Sequence, residues 1–335
     1  MRVRRTSHRR FVRLAAAAAV VAVAGCGGST DAQTTRAYTD ATGRAMKVPA
    51  EPQRIVALSE PTLDAALALG VKPVGTTLGR GQGTIAAYLQ GRTKGIESVG
   101  ILAQPNIERI ARLRPDLILS DGTATLDDAT LDKLERFAPT AVVGRNGGHW
   151  RTTFENAADV MGRKDEGAKL LKTYDTRIAS IRSRLGANRD ATISIVRWGG
   201  IGLPAIIKED LSAGSVLKDI GLKRPPAQSG RGPGHTVPVS LENIEYLDGD
   251  WLFFGSLGAG GGAAGGTSDT PADLQSAKRA LSYAADTPGF RRLKAFRTKR
   301  IVPVDGSVWT SAGGYLAEQV VLNDIERTLA TPAKQ

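Results

Sequence analysis

The 335-residue chain carries 45 Lys and Arg against 33 Asp and Glu, with 5% aromatic residues and one cysteine. A lone thiol excludes an internal disulfide framework, and sparse aromatics with no basic-aromatic interleaving make nucleic acid a poor partner. The length suffices for two domains with real cores even after a leader is removed.

Residues 1–25 read as an export signal. Arginines 2, 4, 5, 9, 10 and 13, with no acid among them, precede the apolar run LAAAAAVVAVAG, which is too short to span a membrane. Val23-Ala24-Gly25 then sets small residues directly before Cys26, the pattern of a lipobox, in which that cysteine is lipidated and becomes the mature N-terminus. The arginine pairs raise a twin-arginine route, but Phe11 follows Arg10 directly instead of one residue later. Residues 26–37, mostly small and polar, read as a flexible tether. Without the six leader arginines, 39 basic residues face 33 acidic ones. That modest excess suits an anionic membrane surface or an anionic ligand.

The first predicted unit is RIVALSEPTLDAALALGVKPVGTT, with a strand at Ile55–Leu58, a helix opening at Glu60-Pro61-Thr62 and a strand at Val71–Thr76. So short a crossover implies parallel strands. Helix Ile107–Leu113, strand Asp116–Ser120, helix Leu126–Phe137 and strand Thr140–Val143 complete an α/β lobe at 38–148. From Trp150 to Leu185 there is no proline, and apolar residues recur at helical spacing, predicting a helix broken near Gly162 and resumed for about 20 residues, or about 30 Å. That interdomain segment, 149–187, reads as a stiff strut. A second lobe, 188–332, is predicted from strand Thr192–Trp198, helix Ala213–Ile220, helix Leu241–Leu247, strand Trp251–Phe254, helix Thr287–Ala295, strand Ile301–Val304 and a terminal helix from Gly314 to Leu329. GAGGGAAGG, Gly258–Gly266, reads as a low-complexity surface loop, because no Lys-Ser/Thr follows it to make a phosphate cradle.

One phrase occurs twice. PNIERIARLRPDLILSDG begins at Pro105 and PVSLENIEYLDGDWLFFG at Pro238. Aligning Glu108 with Glu242 pairs Ile107 with Leu241, Ile110 with Ile244, Leu113 with Leu247 and Asp116 with Asp250, all at an offset of 134 residues. Asn106 and Ser240 are the predicted N-caps, so each glutamate falls in a first helical turn, where the helix dipole favours it. The expected fold is therefore two similar α/β lobes joined by a long α-helical backbone, with a ligand cleft between them. Two matching carboxylates on one side would make a charged dock for a membrane partner.

Catalytic signatures are missing. Beyond His8 in the leader the chain has only His149 and His235, too few for a tight metal site of several histidines or cysteines, and neither GxSxG nor HExxH occurs. Binding has better candidates. Trp150, Trp198 and Trp309 fall where predicted strands end or loops begin, as do Arg80, Arg145, Arg197, Tyr88 and Tyr315. Indole faces and guanidinium groups together hold a flat or bulky ligand bearing anionic oxygens.

At these residues the chain resembles the substrate-binding lipoproteins of iron-siderophore ABC transporters, the helical-backbone periplasmic-binding class that also serves vitamin B12 and haem. DATGRAMKVPAEPQRIVALSEPTLDAALALGVKPVG, PNIERIARLRPDLIL, VSLENIEYLDGDWLFF and TPGFRRLKAFRTKRIVPVDGSVW carry the resemblance. It implies that Glu108 and Glu242 dock onto permease arginines, that Arg197 in SIVRW reaches the ligand, and that iron arrives already coordinated by a siderophore, with no cofactor or metal ligand from the protein. A second arginine often found shortly after it is missing from GGIGLPAII, which leaves the ligand's type open. Receptors for cobalamin or haem share every feature but the ligand. An exported enzyme on a bilobed scaffold would need an acid-base pair in the cleft, and the sequence offers none.

Overall fold

The computed structural model describes residues 34–80, 82–122, 127–145, 147–199, 203–232, 236–257, 272–311 and 313–331, so the export signal, Cys26, His235 and Gly258–Gly266 lie outside the described residues. An antiparallel hairpin of β1 (Thr35–Thr39) and β2 (Ala45–Pro49) comes first. Strand structure thus begins inside the span read as tether. Strands and helices then alternate: β3 (Ile55–Ala57), α1 (Glu60–Ala68), β4 (Gly75–Thr76), β5 (Glu97–Ser98), the small hairpin β6 (Gly100–Ile101) and β7 (Gln104–Pro105), α2 (Ile107–Arg112), β8 (Leu117–Ser120), α3 (Asp128–Glu135) and β9 (Thr140–Val142). The sheet order is β5-β4-β3-β8-β9, all parallel. Every residue of β3 and β8 is buried, as apolar strands covered on both faces must be. Ser59 starts α1 through a reciprocal capping box with Thr62, and Pro61 sits in the first turn.

α4 (Trp150–Val160) and the 20-residue α5 (Lys164–Ser183) follow. The predicted break falls at Gly162, whose φ is +71° and where a Cβ would lie 2.5 Å from the Ala50 carbonyl oxygen. The second lobe contains β10 (Ile193–Gly199), β11 (Leu203–Ile206), α6 (Ser212–Ile220), β12 (Val237–Pro238), a 3-10 segment Leu241–Leu247, β13 (Trp251–Ser256), α7 (Leu274–Ala284), α8 (Lys294–Arg297), β14 (Ile301–Pro303), α9 (Gly306–Thr310) and α10 (Tyr315–Leu329). Its sheet runs β12-β11-β10-β13-β14. β10, β13 and β14 are parallel, whereas β11 is antiparallel to both of its neighbours.

Three expectations need correction. The β11–β12 addition and α7 were not anticipated. No helix spans Thr287–Ala295, because Gly289 takes φ +88° and a 3-10 turn covers Phe290–Arg292. Helix resumes at Lys294, where the Asp248 carboxylate accepts the N–H groups of Lys294 (2.6 Å) and Ala295 (3.1 Å). Nor does Ser240 cap the second copy of the repeat. Asn106 accepts from Arg109 N–H at 2.9 Å, whereas Leu241–Leu247 has no side-chain cap, kinks at Asn243 and leaves Leu241 exposed.

The repeat is structural all the same. Asp116 accepts the N–H groups of Gln53 (2.7 Å) and Arg54 (2.9 Å), and its own N–H donates to Arg54 O (3.0 Å). In the other lobe Asp250 accepts from Thr192 N–H (2.8 Å) and returns its N–H to Thr192 O (2.8 Å). Each aspartate thereby ties the start of one parallel strand to the start of its neighbour.

One hydrophobic core crosses both lobes. It runs from Leu117 and Leu119 of the first sheet through Trp150, Phe154 and Tyr174 to Phe253 and Trp309 of the second. Within it α10 lacks a side-chain cap of its own. Asp64, fully buried on α1 of the first lobe, accepts the N–H groups of Leu316 (2.8 Å) and Ala317 (2.9 Å) instead. Burial pushes its carboxyl up to about 6, against the pull of those two donors. One turn along α10, Glu318 is fully buried with both carboxyl oxygens unpartnered among the described residues. Burial first, then the Asp64 and Asp219 charges, raise its pKa well above the usual carboxylate range.

Both acids bind protons more tightly folded than unfolded, so their stabilisation is complete below the unfolded values and declines as pH rises through the folded ones. Glu318→Met should therefore raise the thermal midpoint more at pH 8 than at pH 5. The wild-type stability should fall by about 1.4 kcal/mol per pH unit across the titration of one such group, and the variant's pH slope should be flatter by that amount. Parallel slopes in calorimetry at several pH values would count against a buried neutral Glu318. Asp64→Ala, which strands two helix N–H groups, should destabilise by about 2–3 kcal/mol in denaturant titration.

A candidate ligand cleft at the strand ends

The cleft between the lobes is lined by residues that follow parallel strands: Pro61, Asp121 and Arg145 come after β3, β8 and β9, and Thr310 stands beside Gly255 near the end of β13. At its floor a cavity of about 60 Å³ is lined from one side by Pro61, Asp121, Arg145 and Trp150, and from the other by Leu211, Ser212, Thr310 and Ser311. That holds no more than a few waters, so a bulky ligand belongs in the open cleft above it.

Arg197 lies in β10 two residues before its end, in register with Ala205 and Gly255. Its Nη2 donates to Thr236 Oγ1 at 2.6 Å, and it makes no ion pair with any described residue. Burial, and after it the neighbouring Arg80 guanidinium, brings its pKa down to about 10, so it stays cationic at neutral pH. Arg80 comes from the other lobe, on the loop after β4. The two like charges, one from each lobe, thus act on one another, and a bound anion would relieve that repulsion.

Beneath Arg80 lies Glu60. Burial raises its carboxyl to about 7, opposed by the Arg80 charge and N–H and assisted by Asp305 and Asp121. A group titrating at neutral pH under the cleft went unrecognised in the sequence, where SEPT reads as a helix start. The signal was a carboxylate directly after a buried strand, where the chain reaches the ligand side of the sheet.

Arg145 also reaches the cavity; its Nε and Nη2 donate to Ala41 O at 2.9 and 2.7 Å, which ties it to the β1–β2 turn. Trp150 opens α4 after His149, whose Nδ1 accepts from Arg151 N–H at 3.2 Å. The Trp150 ring stands edge-on to Tyr174 at 5.0 Å, and its buried Nε1–H is without a partner among the described residues.

The other aromatic candidates are core residues. Neighbours on a strand face opposite ways, so Arg197 and Trp198 cannot both meet one ligand. Trp198 is 2% exposed, stacked on Phe254 at 5.8 Å and edge-on to Phe290 at 5.6 Å. Trp309 is fully buried, stacked on Phe253 at 4.3 Å, with Nε1 donating to Asp324 at 2.9 Å. Tyr315 stacks on Phe154 at 5.5 Å, inside the shared core. Tyr88 packs its ring on that core too, and its buried hydroxyl faces Asp64 rather than the cleft.

Glu108 and Glu242 are both exposed. Glu108 follows β5, β6 and β7, where Asn106 N–H donates to Val99 O at 2.7 Å, one residue beyond the end of β5. Glu242 follows β12, whose Pro238 is level with Arg197 through their shared partner Ala205. Each glutamate thus sits on the strand-end, cleft-side edge of its own lobe.

A family model described as Periplasmic binding protein matches residues 55–307. "Probable siderophore-binding lipoprotein YfiY" of Bacillus subtilis is 31% identical over 87% of each chain. The Iron(3+)-hydroxamate-binding protein FhuD of the same organism is 29% identical over 73% of this chain and 77% of its own. The crystal structure of Staphylococcus aureus SirA complexed with staphyloferrin B matches with a TM-score of 0.72 at 24% identity, over 88% of this chain and 98% of that one. The family and the fold are those of binding proteins, and this chain belongs to the periplasmic binding protein family.

Proposed function

We propose that this chain is an extracytoplasmic receptor that captures a ferric siderophore in the cleft and delivers it to an ABC permease for iron uptake. The observation that carries the reading is Arg197 itself, half-buried near the end of β10 with the Thr236 hydroxyl as its side-chain partner and no carboxylate paired to it among the described residues, while Arg80 of the other lobe adds to its desolvation in lowering its pKa. Ferric siderophores present anionic oxygens around a metal that is already coordinated, so the protein's task is charge and shape complementarity. YfiY and FhuD carry names that state siderophore and ferric hydroxamate binding, which supports the same ligand class here. Arg145 and Trp150 complete the inner wall. Iron is cargo on this reading, and the cleft performs no catalysis.

The residue pattern of 1–26 supports export and anchoring. Residues 1–25 act as the signal peptide, Cys26 takes the lipid, the residues between it and β1 at Thr35 form the tether, and the body divides into two lobes, the second at 188–332, with 149–187 as the connection. Glu108 and Glu242, on matching cleft-side edges, dock onto permease arginines. The modest exposed-charge attraction of each alone makes two points of contact the effective unit.

Titration with ferric hydroxamate, catecholate and mixed siderophores should quench tryptophan fluorescence. Trp150→Phe should remove most of that signal, because Trp150 lines the cleft-floor cavity whereas Trp198, Trp251 and Trp309 do not. Arg197→Gln should weaken affinity by roughly 10- to 100-fold, the worth of one charge-assisted hydrogen bond. Silence toward every ferric siderophore, with a response to haem or cobalamin, would overturn the iron reading and leave the fold untouched. For docking, Glu108→Lys combined with Glu242→Lys should abolish iron uptake by cells while ligand affinity stays at the wild-type value. Undiminished uptake by that double variant would refute the docking role.

A further inference from the structure

The edge opposite the cleft carries its own charge pattern. At the N-terminal ends of the strands the second lobe presents RRLKAFRTKR, residues 291–300, with six cations and no acid. All six are exposed. Arg291 is paired with Asp286 and Lys294 with Asp250. Arg297, Lys299 and Arg300 make no ion pair with any described residue. Arg300 lies over the Trp251 ring at 5.3 Å, at the first residue of β13. Trp251 Nε1 donates to Asn188, which places exposed Arg189 at the same edge. In the first lobe the corresponding edge holds Arg112 and Arg114, exposed beside the start of β8 and likewise without an ion pair among the described residues. Arg54 meets them there, donating to Leu113 O and Arg114 O.

The first described residue, Thr34, is at this edge as well. Thr34 O accepts Ala50 N–H at 2.7 Å, and Ala50 lies four residues before Arg54, which leads into β3. The glutamates and the cleft occupy the other side.

We propose that this basic edge, formed by Arg112, Arg114, Arg189, Arg297, Lys299 and Arg300, is a contact surface for an anionic lipid bilayer. Cations spread along one edge of both lobes match a plane of headgroup charge. With the edge on the membrane the strand-end cleft faces away from it, open to incoming ligand, and Glu108 and Glu242 are turned away from any permease. Capture and delivery then use opposite orientations of one tethered body, and leaving the lipid surface precedes docking. Such attraction fades within a Debye length, about 8–10 Å at physiological salt, so the resting state is readily reversible.

The test uses the unlipidated body from Gln33 onward, a self-contained unit that holds every contact described above. Co-sedimentation with phosphatidylcholine vesicles containing phosphatidylglycerol should show binding that falls with added salt and vanishes on pure phosphatidylcholine. R297E/K299E/R300E should reduce partitioning by at least about 100-fold, at roughly fivefold per cation lost and more for the acids gained. Its thermal midpoint and ferric-siderophore affinity should remain those of the wild type, which separates a lost membrane contact from a lost fold or a lost ligand site. R112E/R114E should add a further loss. The proposal is overturned by salt-insensitive or charge-independent partitioning, by full binding of the triple variant, or by capture of a soluble polyanion with no affinity for vesicles.

Discussion

Much of this architecture turns on one buried carboxylate. Asp64 belongs to the first helix of the first lobe, yet its two oxygens terminate the last helix of the second, 252 and 253 residues away in sequence. Helix N-termini need an acceptor, and the extended Gly314 supplies none from its own side chain. A side chain at 314 would in any case collide with Asp64, whose Cγ lies 2.5 Å from where a Cβ would stand. The glycine and the aspartate are therefore one device. It joins the ends of the chain through charge-assisted hydrogen bonds inside a dry core, where such bonds are strong and their loss is severe.

The twin phrases show what duplication preserves. Asp116 and Asp250 keep their task of pinning adjacent strand starts, and Ile110 and Ile244 keep theirs of filling the space beneath. The helix between them is not preserved: α2 is capped and α-helical, whereas its counterpart is a kinked 3-10 segment. The sheets diverge more. The first lobe continues from its central strand by a helical crossover to parallel β4, and the second folds straight back into antiparallel β11. Matching edges with unequal flanks give a cleft whose two walls differ, as recognition of an asymmetric ligand requires.

Sequence periodicity disclosed the elements that are long or strongly patterned. α5, α10 and the break at Gly162 were legible because their apolar spacing and punctuation agree. The β11–β12 addition was not, since LPAI and VP are too short to show alternation. Arg197 stood out as the polar member near the end of an apolar strand, and the structure places it in β10, half-buried between buried neighbours. Trp198 and Trp309 misled because a tryptophan at a strand end satisfies a core as well as a ligand. For Trp198 the two-residue period of the strand already contained the answer. Asp64 and Glu318 were invisible as structural acids. Each lies in an otherwise apolar helical stretch, and only tertiary packing reveals what it meets.

The core shared across the lobes has a mechanical consequence. Because Trp150, Phe154, Tyr174 and Tyr315 belong at once to both halves, the walls cannot swing apart without opening a void in tightly packed aromatic contacts. A receptor of this stiffness stores almost no elastic work when its cargo arrives and recovers almost none when it leaves. On the proposed reading, whatever prises iron loose must be applied from outside, by the transporter levering on the two lobes through their outlying acids.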